Sequence, residues 1–338
     1  MATPVQIVVT PGSGDGRAVV LARDVRKHLA KDGYAPRMNA FRTLDELMRW
    51  TRACRADFSH LVAIGGDATV SAAAAAAVRL SVPYLPVPSG FGNLFAGTFE
   101  HPRDPGEIAA LLGGGEVIWS DVGVSTSGTF LSHQSYGFLS RIQEEVEQLR
   151  RHSRQRYLRL LAYYQMAAKQ LSDTSLDSIQ IEIDGTAVPG KAALVTIANV
   201  ETYRGFLNLT PAASPVDGLF DVCVVPRTTP ARVLAQLVKV MIDAPGAREE
   251  ISVYRGRHVR VRVNRRRPED VRIHAGALPL LVPQGSLDRL QARQVAMQAD
   301  APVVTSPPRE PAAFELAPAG RPERPGRSRP PAEVASAG

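Results

Sequence analysis

The chain has 338 residues, 44% of them hydrophobic, and a formal charge of +7. That length accommodates two domains, and the apolar content excludes a wholly disordered protein. The positive balance favours anionic partners, whether nucleotides, phospholipid surfaces or nucleic acid, without choosing among them. Cys54 and Cys223 stand far apart and in no metal-binding spacing, which reads as two reduced thiols. The N-terminus has no basic region, and no stretch approaches the ~20 apolar residues that span a bilayer. The expectation is a cytoplasmic protein that meets lipid, if at all, from the water side.

In chain order, residues 5–9 form a short apolar run that reads as a buried strand, followed by the turn cluster Pro11-Gly12-Ser13-Gly14-Asp15-Gly16. Val19, Val20, Leu21, Val25 and Leu29 then recur at helical spacing. A second helix is predicted over 45–54 and a buried strand over 60–64, stopped by Gly65-Gly66. A helix over 71–80 and a strand over 84–87 follow, the latter ended by Pro88-Ser89-Gly90. Strand, Gly-rich turn and helix in repetition predict a parallel α/β sheet with ligands beyond the carboxyl ends of its strands.

From about residue 120 the texture changes. Segments 178–183, 192–197, 219–225 and 258–263 are Val-rich, and the last alternates Val259, Val261 and Val263 with His258, Arg260 and Arg262. A long helix, or two with a break near Ser153, is predicted over 142–171. The second half therefore reads as mostly antiparallel β with one helical excursion. From Asp300 the chain is rich in proline and poor in large apolar residues, and reads as a disordered tail. The predicted organisation is an α/β domain over 1–121, a β-rich domain over 122–296 and the tail over 297–338.

Four constellations could carry chemistry. Gly65, Gly66, Asp67, Ala68 and Thr69 lie between a strand and a helix, where glycines admit a phosphate and the helix end offers free N–H groups. Asp67 could hold Mg²⁺ or organise the loop, Thr69 could contact phosphate or cap the helix, and a plain strand-to-helix turn explains the same residues. Ser89, Gly90, Gly92 and Asn93 form a second Gly-rich turn about twenty residues on, and two such turns at successive strand ends suggest one shared anion site. Gly12, Ser13 and Gly14 form a third turn with no Gly-Lys-Ser/Thr ending, so it is no P-loop. The fourth, Tyr203 to Val222, reads by composition as an irregular loop leading into a strand.

These four in this order resemble the diacylglycerol kinase catalytic superfamily, which includes bacterial lipid kinases and sphingosine kinases. Its pattern is N-P-x-S-G, G-G-D-G-T, P-x-G-(T/S)-x-N, P-x-A-x-x-D-D-G-x-(L/F)-D-V and a closing D-G-E. The counterparts here are Thr10 to Gly14, Gly65 to Thr69, Pro88 to Asn93 and Pro211 to Val222. The resemblance implies an N-terminal α/β domain like those of NAD kinases and phosphofructokinases, then a β-rich lipid-substrate domain. It implies ATP, with Mg²⁺, bound by the three Gly-rich turns, and a phosphoryl group passed to a lipid hydroxyl at a membrane surface. It also assigns Asp121 to arranging Mg²⁺, Asp217 to a structural metal loop and Thr43 to a nucleotide contact.

The sequence departs from the family at Thr10, Ala68 and Leu94, and above all at Ala275-Gly276-Ala277, where the family has Asp-Gly-Glu. The family's proposed base is thereby an alanine. His274, on the opposite strand face, and His133 are substitute candidates, though an interior histidine explains His133 as well. A positioned base is worth roughly 10² to 10⁴ in rate, whereas phosphoryl transfer rests mainly on positioning and charge stabilisation. The readings are thus a lipid kinase, a nucleotide- or lipid-binding pseudokinase of the same fold and, further off, an NAD kinase, whose Asn-Glu pair this chain lacks. The basic stretches 150–159 and 255–267 fit solvated faces or an anionic membrane. Nucleic acid is not expected, because no aromatic interleaving accompanies the charge. A homodimer stays open.

Overall fold

A computed structural model of the chain describes residues 2–12, 16–90, 92–137, 176–202, 207–241 and 244–298. These lie within one compact unit, Met1–Pro307, and the second unit, Pro308–Gly338, falls wholly outside the described residues. The expected helix over 142–171 also lies outside them, as does the expected tail over 297–338 apart from residues 297 and 298, which are helical.

The first half alternates as the apolar runs require. Strand β1 (Thr3–Val9), helix α1 (Arg17–Lys31), β2 (Tyr34–Ala40), α2 (Leu44–Ala53), β3 (His60–Gly65), α3 (Asp67–Leu80) and β4 (Tyr84–Pro88) build a parallel sheet in the order β2-β1-β3-β4. Val5, Ile7, Val8 and Val9 in β1 and Leu61 to Ile64 in β3 are fully buried, which is why both read as unbroken apolar runs. Helix α1 buries Ala18, Ala22, Val25 and Leu29 at the helical period against that sheet. Two short helices follow, α4 (Leu94–Thr98) and α5 (Pro105–Gly114), the latter capped by the Asp104 carboxylate, which accepts from the amides of Gly106 and Glu107.

The second half is antiparallel. It contains β5 (Glu116–Ser125), β6 (Gly128–Phe130), β7 (His133–Gly137), β8 (Ile179–Ile183), β9 (Thr186–Ala187), β10 (Ala192–Ala198), β11 (Phe220–Pro226), β12 (Ser252–Gly256), β13 (His258–Val263) and β14 (Glu269–Val282). In β13 the valines 259 and 261 are buried and Arg260 and Arg262 exposed, as the alternation predicts. Two helices, α6 (Pro230–Met241) and α7 (Ser286–Gln298), add to the single helical excursion expected here. Helix α6 exists because Val233, Leu237 and Val240 bury one stripe against Leu194, Cys223 and Val225.

The 14-residue β14 joins the halves. It pairs antiparallel with β13 and β5 and, at Leu280 opposite Tyr84, parallel with β4, so one sheet runs through both halves. A single apolar cluster likewise spans them, with Val70, Ala73 and Phe95 from the first and Val122, Leu131, Val200 and Leu278 from the second.

Candidate active site

Because β1 to β4 are parallel, Thr10, Thr43, Gly65 and Ser89 all follow the carboxyl ends of neighbouring strands. The second and third Gly-rich turns close on each other there. The Ser89 amide donates to the Gly65 carbonyl at 3.0 Å. A side chain at Gly90 would come within 2.6 Å of the Gly66 Cα, so glycine at 90 is what lets the loops touch. Asn93 folds its own loop, its Oδ1 accepting from the Gly90 amide at 2.9 Å and its Nδ2 donating to the Gly90 carbonyl at 2.5 Å.

Asp67 joins the two loops. Its Oδ1 accepts the Leu94 amide at 2.8 Å, at the start of α4. Burial pushes its carboxyl above the usual range, opposed by the surrounding backbone amides of Leu94, Phe95 and Asn93. Thr69, the third residue of α3, is buried with its hydroxyl 2.6 Å from that of Thr10, which ties the opening turn to the second one. Thr10 therefore does locally what a polar residue at that place should do. Ala68 lies in the first turn of α3 and is absent from the residues with positive φ, so its methyl carries no backbone strain there. Gly66 caps α3 without any side-chain hydrogen bond, and the Ser89 hydroxyl is buried with no partner among the described residues. A helix start without a side-chain cap and an unused hydroxyl at one loop junction fit an anionic ligand.

Gly12 is exposed, and Ser13 and Gly14 lie outside the described residues. Thr43 is the N-cap of α2, accepting from the Glu46 amide at 3.2 Å, while Glu46 Oε2 accepts from the Arg42 amide at 2.8 Å. Its hydroxyl thus has a capping role at the same sheet edge.

The departure at 275–277 has a definite shape. His274 pairs with Val122 and Leu278 with Ser120, so Ala275, Gly276 and Ala277 bulge from β14 opposite Asp121. Gly276 has φ +54°, which glycine accepts without strain. Asp121, 2% exposed, clamps this bulge: Oδ1 accepts the Gly276 amide and Oδ2 the Gly218 amide, both at 2.7 Å. Burial raises its carboxyl from the usual range, opposed by those amides and by Arg257. Asn199 Nδ2 donates to the Asp121 carbonyl at 3.1 Å and the Leu131 carbonyl at 3.0 Å, and the Leu131 amide donates to Ser71 Oγ in α3. Four hydrogen bonds therefore connect Ser71 in α3 to the bulge. Trp119, 59% exposed, stands beside Gly276 at the surface.

The two acids expected at a metal, Asp121 and Asp217, are both engaged within the chain. Both oxygens of Asp121 take backbone amides, and Asp217 pairs with Arg255, whose Nε also donates to Asp221 at 3.0 Å. Asp221 is 3% exposed at its side chain, and burial pushes its carboxyl up to about 6. Among the described residues no His, Cys, Asp or Glu cluster fits a resident metal ion. His274 is exposed at the last regular rung before the bulge and makes no hydrogen bond to the Asp121 clamp. His133, opposite Ala198, is held neutral by burial, its pKa drawn down to about 4. Sequence reasoning named Asp121 as a metal residue and Arg255 as one of a basic run, and gave Asp221 and Trp119 no role of their own; the Asp-Val at 221–222 of the fourth motif was the available signal.

Comparison with known proteins places this architecture. Residues 4–124 match the diacylglycerol kinase catalytic domain, and residues 133–277 match the YegS C-terminal NAD kinase beta sandwich-like domain. The chain thus carries a diacylglycerol kinase catalytic domain followed by a YegS-type C-terminal domain. It is 25% identical over 239 residues to a diacylglycerol kinase of Staphylococcus aureus (strain bovine RF122 / ET3-1), covering 70% of this chain and 73% of that one. A diacylglycerol kinase of Staphylococcus carnosus (strain TM300) is 23% identical over 241 residues, or 70% and 76% of the two chains. The fold matches the crystal structure of a diacylglycerol kinase from Bacillus anthracis str. Sterne with a TM-score of 0.60, at 18% identity over 84% of this chain and 98% of that one. The superfamily is one of phosphotransferases, and its kinase domain implies ATP as a substrate. No helix among the described residues is long and apolar enough to cross a membrane.

Proposed function

We propose that this protein is an ATP-dependent lipid kinase that moves the γ-phosphoryl group of ATP to a lipid hydroxyl. The observation that carries the nucleotide half is the junction of Gly65-Gly66-Asp67 with Ser89-Gly90, where the start of α3 has no side-chain cap and the Ser89 hydroxyl is unused. Triphosphate oxygens suit such donors. Mg²⁺ would accompany the nucleotide, with Asp121 and Asp217 as the carboxylates the resemblance offers for arranging it.

Exposed Trp119 and Val117 share one face of β5 beside the Gly276 bulge and suit an apolar acceptor. The hydroxyl oxygen bonds to the γ-phosphorus, the bond to the β,γ-bridging oxygen breaks, ADP leaves and the hydroxyl proton passes to water. With Ala275 at the place of the family's acid, no carboxylate takes that proton from the bulge, and the reaction rests on positioning. A diacylglycerol or sphingoid-type acceptor fits this chemistry. The test is transfer of labelled γ-phosphate to diacylglycerol in mixed micelles, reduced on Ser89→Ala and on Asp67→Ala substitution. Bound ATP without transfer favours the second reading, a nucleotide-binding pseudokinase, for which Ala275 and Ala277 speak.

A further inference from the structure

The arginines of β13 and its flanks divide into two groups. Arg255 pairs with Asp217 and Asp221, Arg257 acts on Asp121, and Arg260 pairs with Asp270 at 3.3 Å and Glu182 at 3.6 Å. Arg262, Arg265, Arg266 and Arg267 have no acidic partner among the described residues. All four are exposed at one end of the β13–β14 hairpin. With Gln180 and Asn264 they line an open concavity of about 530 Å³ whose lining, among the described residues, includes no carboxylate.

The hairpin end is held in shape. Asn264, at φ +55°, accepts the Ser178 amide at 2.9 Å, donates to Asp177 at 2.7 Å and donates its own amide to the Ser178 carbonyl at 2.8 Å. The Arg266 amide donates to the Val263 carbonyl at 3.1 Å. Arg262 stands opposite Gln180 on β8, so the wet sheet face continues the charge of the turn. Four unmatched cations on a fixed turn form a concentrated positive field.

We infer that this hairpin end is the foot by which the protein docks on an anionic phospholipid surface. The charge complements a sheet of phosphate headgroups. The concavity is wide and open, and no buried polar side chain aims into it, which suits many weak headgroup contacts rather than one enclosed small anion. Docking here serves the lipid-acceptor reading above, while its own readout does not depend on catalysis.

The experiment is co-sedimentation of the full chain with phosphatidylcholine vesicles, with and without phosphatidylglycerol. The wild type binds only the anionic vesicles, and more weakly as salt rises. An R262Q/R265Q/R266Q/R267Q variant, shown folded by its thermal transition, binds them roughly a hundredfold or more weakly, from about 1 kcal/mol per cation near a membrane. An R23Q/R26Q/R52Q/R55Q variant loses the same charge elsewhere and keeps binding. Equal losses in both variants, or no loss in the first, overturn the proposal, as does hairpin-dependent binding to duplex RNA without binding to vesicles. Phosphorylation of a short-chain diacylglycerol in water separates the two readings. If the hairpin variant phosphorylates it normally but not the vesicle-borne acceptor, both stand. If neither protein phosphorylates it, the kinase reading fails while the docking result stands alone.

Discussion

The carboxylate of Asp121 holds the amide of Gly276 at 2.7 Å with one oxygen and the amide of Gly218 at 2.7 Å with the other. Gly218 belongs to the fourth motif and Gly276 to the bulge that replaces the family's closing acids. One buried side chain thus fixes two chain segments at the candidate acceptor end. Asp121→Ala leaves both amides without that acceptor and costs about 3 kcal/mol, at roughly 1.5–3 per charge-assisted bond. Chemical denaturation of the variant checks this, and an unchanged midpoint contradicts it.

The loop junction predicts a packing defect with a functional consequence. At Gly90 a methyl meets the Gly66 Cα at 2.6 Å, and backbone rather than a flexible side chain must move. Gly90→Ala therefore costs about 1–3 kcal/mol and separates the turns that form the proposed anion site. Calorimetric ATP titration should show affinity reduced by about tenfold or more, from at least ~1.4 kcal/mol of lost binding energy. Gly97, where a methyl meets nothing within 4 Å, is the control substitution that leaves binding unchanged.

Much of this geometry was readable in advance and some was not. β1, β3 and β4 announced themselves because both their faces are covered, giving unbroken apolar runs. β2 did not: it is the edge strand, mostly exposed, and carries Pro36 and Arg37. The touching of Gly66 and Gly90 followed from two turns at adjacent strand ends. The Asp121 clamp was invisible, since its partners lie 97 and 155 residues away and are backbone amides that leave no mark on composition. Arg255 read as one member of a basic run because its pairing with Asp217 and Asp221 is a tertiary fact.

That pairing sets a third prediction. Arg255→Met leaves Asp221 buried without its cation and costs about 2–3 kcal/mol, toward the lower end for a broken pair because the guanidinium is 29% exposed. Adding Asp221→Asn in the same chain recovers part of the loss. If the double variant is no more stable than the single one, Arg255 does not act through Asp221.

Asp221 also gives a pH dependence. Burial raises its folded pKa to about 6 from the ordinary 3.8, so the folded state favours the protonated acid. Its stabilising contribution is full below the unfolded value and is lost as pH rises through about 6. The stability of the wild type relative to Asp221→Asn therefore falls between pH 4 and 6 and levels off above. Unfolding curves of both proteins across that window check the slope, and a relative stability that rises with pH reverses the assignment.

The bulge predicts a gain of function. Ala275 is exposed, so a carboxylate there meets no packing obstacle from burial. Ala275→Asp combined with Ala277→Glu should raise the transfer rate by roughly 10² to 10⁴, the usual worth of a positioned base. Single-turnover rates measured beside the wild type decide it. No increase, with ATP binding intact, means that the proton leaves by another route.

The most direct test of the whole account is transfer of labelled γ-phosphate from ATP to a lipid by the purified chain. Wild-type protein, Mg²⁺ and diacylglycerol in mixed micelles should yield label in the organic phase. Ser89→Ala should reduce it, and Gly90→Ala should reduce it together with ATP affinity. Absence of label from lipid, with ATP bound at the Gly66–Gly90 junction, would contradict a kinase and leave a nucleotide-binding protein.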